Sequence, residues 1–256
     1  MSDNLFDLEG QTALVVGAAG VLGRRSALVL GRQGARVVVA DHPGAHDALD
    51  ETVAALVSDG VAARAVHCDV TNEDSVDSVM ASLDAPLSIL VNTAGVMLRR
   101  GVVETTLQEW QRVIDVNLTG TWLVNRAAVK HMALAGRGKI VNFASVYAER
   151  VGPVPESAYY ASKAGIGNLT RSMASEFGAL GIHVNCLALG VFYPTNMTAP
   201  LKDDPETLQW FSDRTMLRRL GDPERDLDGP LVLLASSASD YMTGQIVYVD
   251  GGWSAW

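Results

Sequence analysis

Tyr159 and Lys163 stand four residues apart in the run Ser157-Ala-Tyr-Tyr-Ala-Ser-Lys163. On a helix that spacing places both side chains on one face, so an ammonium lies beside a phenol. A free tyrosine ionises near pH 10, and an anion near neutrality needs about 4 kcal/mol of local electrostatic help. Lys163 is placed to supply much of it, and Tyr159 would then act as a general base toward a hydroxyl proton. Tyr160 adjoins the pair but lacks the four-residue spacing to the lysine.

A second group has the chemistry of phosphate binding. Thr12-Ala-Leu-Val-Val16 is a short apolar run that breaks into Gly17-Ala-Ala-Gly20-Val-Leu22-Gly23 before a stretch rich in Ala and Leu. Strand, glycine turn and helix form the layout of a dinucleotide site, where Gly17, Gly20 and Gly23 let the backbone approach a pyrophosphate and free amides meet its charge. Leu22 is counted with this turn. The run Arg36-Val-Val-Val-Ala40 then ends in Asp41, whose carboxylate can accept hydrogen bonds from an adenosine ribose.

With these residues the chain resembles the short-chain dehydrogenase/reductase family over nearly all its length. The resemblance implies that Asp69 and Val70 hold the adenine ring and that Asn92-Thr-Ala94-Gly95 lies beneath the cofactor. It also implies that Asn117 anchors a proton-relay water and that Ser145, closing the run Lys139 to Ala144, is the catalytic serine. Tyr159 and Lys163 would also touch the cofactor, Lys163 at the nicotinamide ribose, with Phe192 and Thr195 on the nicotinamide side. In the oxidative direction Tyr159 takes the hydroxyl proton, Ser145 hydrogen-bonds the developing oxyanion, and Asn117 passes the proton on through water. Gly244 to Gly252 resembles the last core strand and its turn.

Several positions depart from the family pattern. The usual threonine before the glycine turn is Val16, and Val21 stands where a middle glycine is expected. That glycine spacing is closer to the sugar-nucleotide-modifying branch. One extra residue separates Ser145 from Tyr159, in the stretch Arg150 to Glu156, and a loop can absorb it. The usual Pro-Gly is Leu189-Gly190, and Thr195 comes one residue late.

These side chains need strands and helices to position them. Seven apolar runs, near 12–16, 36–40, 63–68, 87–92, 139–144, 183–188 and 245–249, alternate with helical stretches. That pattern predicts an α/β fold, one doubly wound (Rossmann-type) domain over 1–256 with a seven-stranded parallel sheet. The segment 192–219, with Met197, Trp210, Phe211 and Met216, is expected to form a lid over the substrate. Cys68 and Cys186 have neither disulfide nor metal spacing, in keeping with a reducing compartment. The acidic start with Asp3, Asp7 and Glu9 has no apolar core, no run reaches membrane-spanning length, and a cytoplasmic location is expected. A net charge of −9 with no basic stripe argues against nucleic acid and against an acidic carrier as partners.

Asp41 would repel a ribose 2′-phosphate, so the expected cofactor is NAD. The expected substrate is a small sugar, polyol or aldonate carrying a secondary alcohol, interconverted with its ketone or lactone. Arg99, Arg100 and Arg150 are candidates for a substrate carboxylate. The apolar lid residues suit an alternative, a reductase of 3-oxoacyl or other hydrophobic ketones. A sugar-nucleotide epimerase or dehydratase and a non-catalytic NAD-sensing regulator are the remaining alternatives. A homotetramer is implied by the family resemblance. The stripe Ile166, Leu169, Met173, Phe177 and Leu180 is first expected to face the protein's own sheet, so the oligomer expectation rests mainly on the resemblance, with Trp253 and Trp256 wanting a partner surface if they are exposed in a monomer.

Overall fold

The structure, a computed structural model, describes residues 4–255; Asp3 and Trp256 lie outside the described residues. Seven strands, β1 (Thr12–Val16), β2 (Arg36–Asp41), β3 (Ala63–His67), β4 (Ile89–Asn92), β5 (Gly138–Ser145), β6 (Ile182–Leu189) and β7 (Ile246–Val249), pair in the order β3-β2-β1-β4-β5-β6-β7. All pairings are parallel. Each strand lies within two residues of its position read from sequence.

Alternate strand residues point to opposite faces, and both faces are covered, which is why the strands are continuously apolar rather than alternating. Ala13, Val15, Val37, Val39, Ile89 and Val91 pack on Ala27 and Leu30 of α1 (Val21–Arg32), on Leu49 and Leu56 of α2 (His46–Ser58), and on Leu231 and Leu234 of the late helix 228–235. Leu14, Val16, Val38, Ala40 and Leu90 pack on the other face. Their partners are Val76 and Val79 of α3 (Glu73–Ala81), Leu123 and Ala127 of the helix 120–135, and Met173 and Ala174 of the helix 157–177.

The chain winds outward from β1 in both directions, so the C-terminal ends of β1 and β4 open a crevice at the reversal point, where ligands bind in such sheets. Two features raise side chains above that crevice. β5 pairs Asn142 with Asn92 at the end of β4, then runs on through Phe143 and Ala144 to Ser145 beside β6. Between α4 (Leu107–Ile114) and α5 (Gly120–Ala135), residues Asp115–Thr119 form a π-helical turn carrying the buried Asn117. Such turns inside helices are frequent at functional sites.

Helix α6 (Ser157–Phe177) carries Tyr159 and Lys163 on its buried face. Its apolar stripe serves the protein's own sheet: Ile166 and Met173 are buried, Leu169 and Phe177 pack on the same core, and Leu180 is half exposed. After β6, a 3₁₀ turn (Ala199–Asp203) leads into α7 (Pro205–Arg214), whose start is capped by the Asp204 carboxylate accepting from Thr207 N–H at 2.9 Å. Leu201 and Phe211 of this segment pack with Val146, Tyr147, Tyr159 and Trp253. Trp253 is therefore buried within its own chain. Its ring lies 5.8 Å from Tyr147, 6.0 Å from Trp210 and 5.9 Å from Phe211, which removes the idea that it waits for a partner surface. The last helix is α8 (Asp228–Ala235).

Candidate active site

The glycine turn is built for close approach. Gly17 has φ +84, and a Cβ there would stand 2.6 Å from Ala94 N; a Cβ on Gly23 would stand 2.2 Å from Gly17 O. Glycine is thus required at both, once for conformation and once for the packing of α1 on the strand. Gly20 caps α1 without any side-chain hydrogen bond, which leaves the amides that follow Val21 at the start of the helix to face an anion. Val21, the first residue of α1, lines the same cleft, and its N–H meets Asn196 Oδ1 at 3.4 Å.

A cleft of about 1420 Å³ opens on this turn, lined by Gly17, Gly20, Leu22, Gly23, Asp41, Asp69, Val70, Ala94, Gly95 and Thr195 among others. Its size and elongated lining suit a dinucleotide. At the far end from β5, the Asp41 carboxylate accepts Ala19 N–H at 2.8 Å and His42 N–H at 2.7 Å, which ties the glycine turn to the end of β2. Asp69 accepts Thr71 N–H and its hydroxyl at 2.9 and 2.7 Å, and the side-chain bond above all holds its carboxyl below the usual range.

A smaller cavity of about 110 Å³ adjoins the cleft and shares Leu22, Thr93, Thr195 and Met197 with it. It holds Ser145, Tyr159 and Lys163, with Phe192 in its wall. The two cavities meet where a nicotinamide ring would have to lie to reach a substrate beside Tyr159. Gly95 sits at this junction: a Cβ there would be 3.4 Å from Asn117 Oδ1 and 3.7 Å from Lys163 Nζ.

The structure corrects one expectation about Tyr159. Its hydroxyl lies above the ordinary tyrosine range, chiefly through burial and then through the nearby Glu156 carboxylate, while the Ser145 hydroxyl draws it back. Lys163 does not overcome this in the protein alone. Its ammonium donates to Phe143 O at 2.8 Å and stands 5.5 Å from the Tyr159 ring centre, and burial lowers its own pKa to about 8. The resting site therefore holds Tyr159 as a phenol.

Asn117 and Asn92 lie beneath the cavities rather than in their walls. The Asn117 side chain accepts Val96 N–H at 2.8 Å and donates to Val96 O at 2.9 Å and to Ser162 Oγ at 3.0 Å. Its main-chain carbonyl accepts from the Thr121 hydroxyl at 2.6 Å. Asn92 donates to Thr121 Oγ1 and accepts Ala94 N–H, both at 3.2 Å. Together they clamp the segment after β4 to the π-helical turn.

Tyr160 braces the loop that absorbs the extra residue: its hydroxyl donates to Val154 O at 2.6 Å and accepts Gly152 N–H at 3.2 Å. Arg100 and Arg150 are engaged away from the cavity, Arg100 with Glu109 at 2.5 Å and Arg150 with Ser254 O at 2.8 Å. Thr195 pairs with the Thr198 hydroxyl at 2.9 Å.

Three further residues complete the site. Thr93 donates to Val16 O at 2.9 Å and Gly17 O at 3.1 Å, fixing β1 against β4; its place in Asn-Thr-Ala-Gly, where the family has a second asparagine, was a legible signal. Ser162 donates to Tyr159 O at 2.8 Å and accepts from Asn117, and its position next to Lys163 could have drawn notice. Glu156, which joins Arg99 at 3.0 Å, gave no local signal.

A family profile described as enoyl-(acyl carrier protein) reductase matches residues 17–254. The chain is 35% identical to a 2-dehydro-3-deoxy-D-gluconate 5-dehydrogenase of Formosa agariphila, over 98% of this chain and 96% of that protein. It is 36% identical to a galactitol 2-dehydrogenase (L-tagatose-forming) of Cereibacter sphaeroides, over 98% of each. Among solved structures, a gluconate 5-dehydrogenase from Burkholderia cenocepacia in complex with NADP and tartrate superimposes with a TM-score of 0.92 at 31% identity, over 98% of both chains.

Proposed function

The chain belongs to the short-chain dehydrogenase/reductase family, and from that premise we propose that it is a nicotinamide-dependent dehydrogenase of a secondary hydroxyl on a small sugar, polyol or sugar acid. The observation that carries this reading is the meeting of the dinucleotide-sized cleft with the small cavity that holds Ser145, Tyr159 and Lys163. Full-length similarity to dehydrogenases of gluconate derivatives and galactitol supports the substrate class. The cavity's volume of about 110 Å³ also suits a small molecule better than a long acyl chain.

A nicotinamide dinucleotide, when bound, supplies the hydride acceptor or donor. The chain supplies the rest. The amides at the start of α1 receive the pyrophosphate, and Gly95 leaves room at the junction of the two cavities. Ser145 donates to the substrate oxygen while Tyr159 takes or returns its proton. Lys163, held by Phe143 O, sets a positive charge behind the ring. Asn117 keeps this arrangement in register through Val96 and Ser162.

The proposed cofactor is NAD. Asp41 is fixed by two backbone N–H groups at the rim of the cleft, and a 2′-phosphate about 4 Å away would be repelled by roughly 1 to 4 kcal/mol per unit charge. Steady-state assays with NAD⁺ and NADP⁺ against sugars, polyols, aldonates, and aliphatic and aromatic alcohols test the whole reading. Aliphatic or aromatic alcohols a hundredfold better in kcat/KM than every carbohydrate would refute the substrate class.

A further inference from the structure

The hydride-transfer chemistry leaves one pair in the small cavity unused. Arg99, on the segment after β4, donates Nε–H to Glu156 Oε1 and Nη2–H to the Met197 carbonyl, each at 3.0 Å. Glu156 lies three residues before Tyr159 and is only 4% exposed. Both side chains line the cavity with Ser145 and Tyr159, and most of the remaining wall is apolar, including Met97, Phe192, Leu201 and Phe211. The pair is buried on one side only, Glu156 enclosed and the Arg99 side chain 30% exposed, and such an ion pair adds little net stability. Its position beside the reacting hydroxyl points to a ligand.

We propose that the Arg99–Glu156 pair reads the hydroxyl groups next to the reacting carbon and selects an uncharged polyol or sugar over a sugar acid. The inference deepens the carbohydrate dehydrogenase reading above and rests on it. A guanidinium has five N–H donors and a carboxylate two acceptor oxygens. Among the described residues, Arg99 Nη1 and Glu156 Oε2 have no hydrogen-bond partner. The pair thus keeps one donor and one acceptor in reserve at the cavity wall, which is what the hydroxyls of a polyol require.

A sugar carboxylate entering the same space meets Glu156 as well as Arg99. Its attraction to the guanidinium is offset by repulsion from a carboxylate already in place, and the protein's net charge of −9 gives no long-range help. Because a site built to hydrogen-bond hydroxyls leaves buried polar groups unpaired when they are missing, the pair also discriminates against simple alcohols.

The test measures kcat and KM of the wild-type enzyme, with NAD⁺ and with NADP⁺, on galactitol, D-sorbitol, D-gluconate and cyclohexanol. The expected result is a kcat/KM for the better polyol at least tenfold above that for gluconate. Glu156→Gln should raise the polyol KM at least tenfold with a smaller change in kcat, and should move the polyol-to-gluconate ratio toward gluconate. Arg99→Met should raise the polyol KM without improving gluconate. Gluconate preferred by the wild type overturns this inference and leaves the carbohydrate reading standing, whereas turnover of cyclohexanol alone overturns both. Equal losses on polyol and gluconate in Glu156→Gln, with a lowered melting temperature, would identify the pair as a clasp on Met197 and overturn the inference.

Discussion

The Tyr159 hydroxyl opens into the cavity that holds Ser145, while the Tyr160 hydroxyl is turned to the loop carbonyl of Val154. Tyr159→Phe keeps the ring and removes the transferable proton, so turnover should fall by about two orders of magnitude or more with cofactor affinity kept. Tyr160→Phe should keep kcat and lose about 1 kcal/mol of stability, one hydrogen bond's worth, read as a lower melting temperature. The raised pKa of Tyr159 sets the pH dependence. Below that pKa the group is a phenol, and the phenolate fraction grows about tenfold per pH unit. Oxidation, which needs the phenolate, should therefore rise with pH from neutrality upward, and reduction, which needs the phenol, should be flat there; paired pH profiles of kcat/KM check this. Asp41→Ser removes the carboxylate proposed to meet the ribose 2′ position and should raise kcat/KM for NADPH relative to NADH. A wild type that already prefers the phosphorylated cofactor would show that Asp41 serves the glycine turn alone.

At the scale of elements, Asn117 joins three pieces of chain that the sequence separates widely. Asn117→Ala strands the part-buried Val96 N–H and C=O and removes the amide that donates to Ser162 Oγ. It should cost about 2 to 4 kcal/mol by denaturant unfolding and lower kcat by loosening the segment under the nicotinamide. The strands were legible because each is a short, mainly apolar run set between helical stretches, and the glycine turn, Asp41, Ser145 and Lys163 were legible because each sits at a strand end or a helical spacing. The Arg99–Glu156 pair was not, since its members are 57 positions apart and meet only when α6 docks beside the segment after β4. Trp253 misled for the same reason: an aromatic at a chain end reads as exposed until Tyr147, Trp210 and Phe211 close around it. The depression of the Tyr159 pKa by Lys163 was overestimated because spacing gives proximity but not burial, and in this cavity burial outweighs the neighbouring charge.

For the whole molecule, neither the α6 stripe, which faces the protein's own sheet as its spacing first implied, nor the enclosed Trp253 offers a partner surface. A different surface takes their place. Val103 is 92% exposed and Leu107 79%, with Val102 beside them, all at the approach to α4, and Trp122 on α5 is 43% exposed under a stacked Arg126. Scattered apolar residues on a surface are ordinary, but three within six positions favour burial by association. Homo-oligomers usually close by two-fold axes, and a tetramer of two-fold symmetry contains more than one kind of interface. The expected mass in solution at micromolar concentration is four times the 27.2 kDa of the chain. Val103→Glu and Trp122→Glu each place a charge on one of these exposed side chains, and each should shift the mass toward dimers by light scattering. A wild-type chain that is monomeric at that concentration would show that this apolar surface does not drive association.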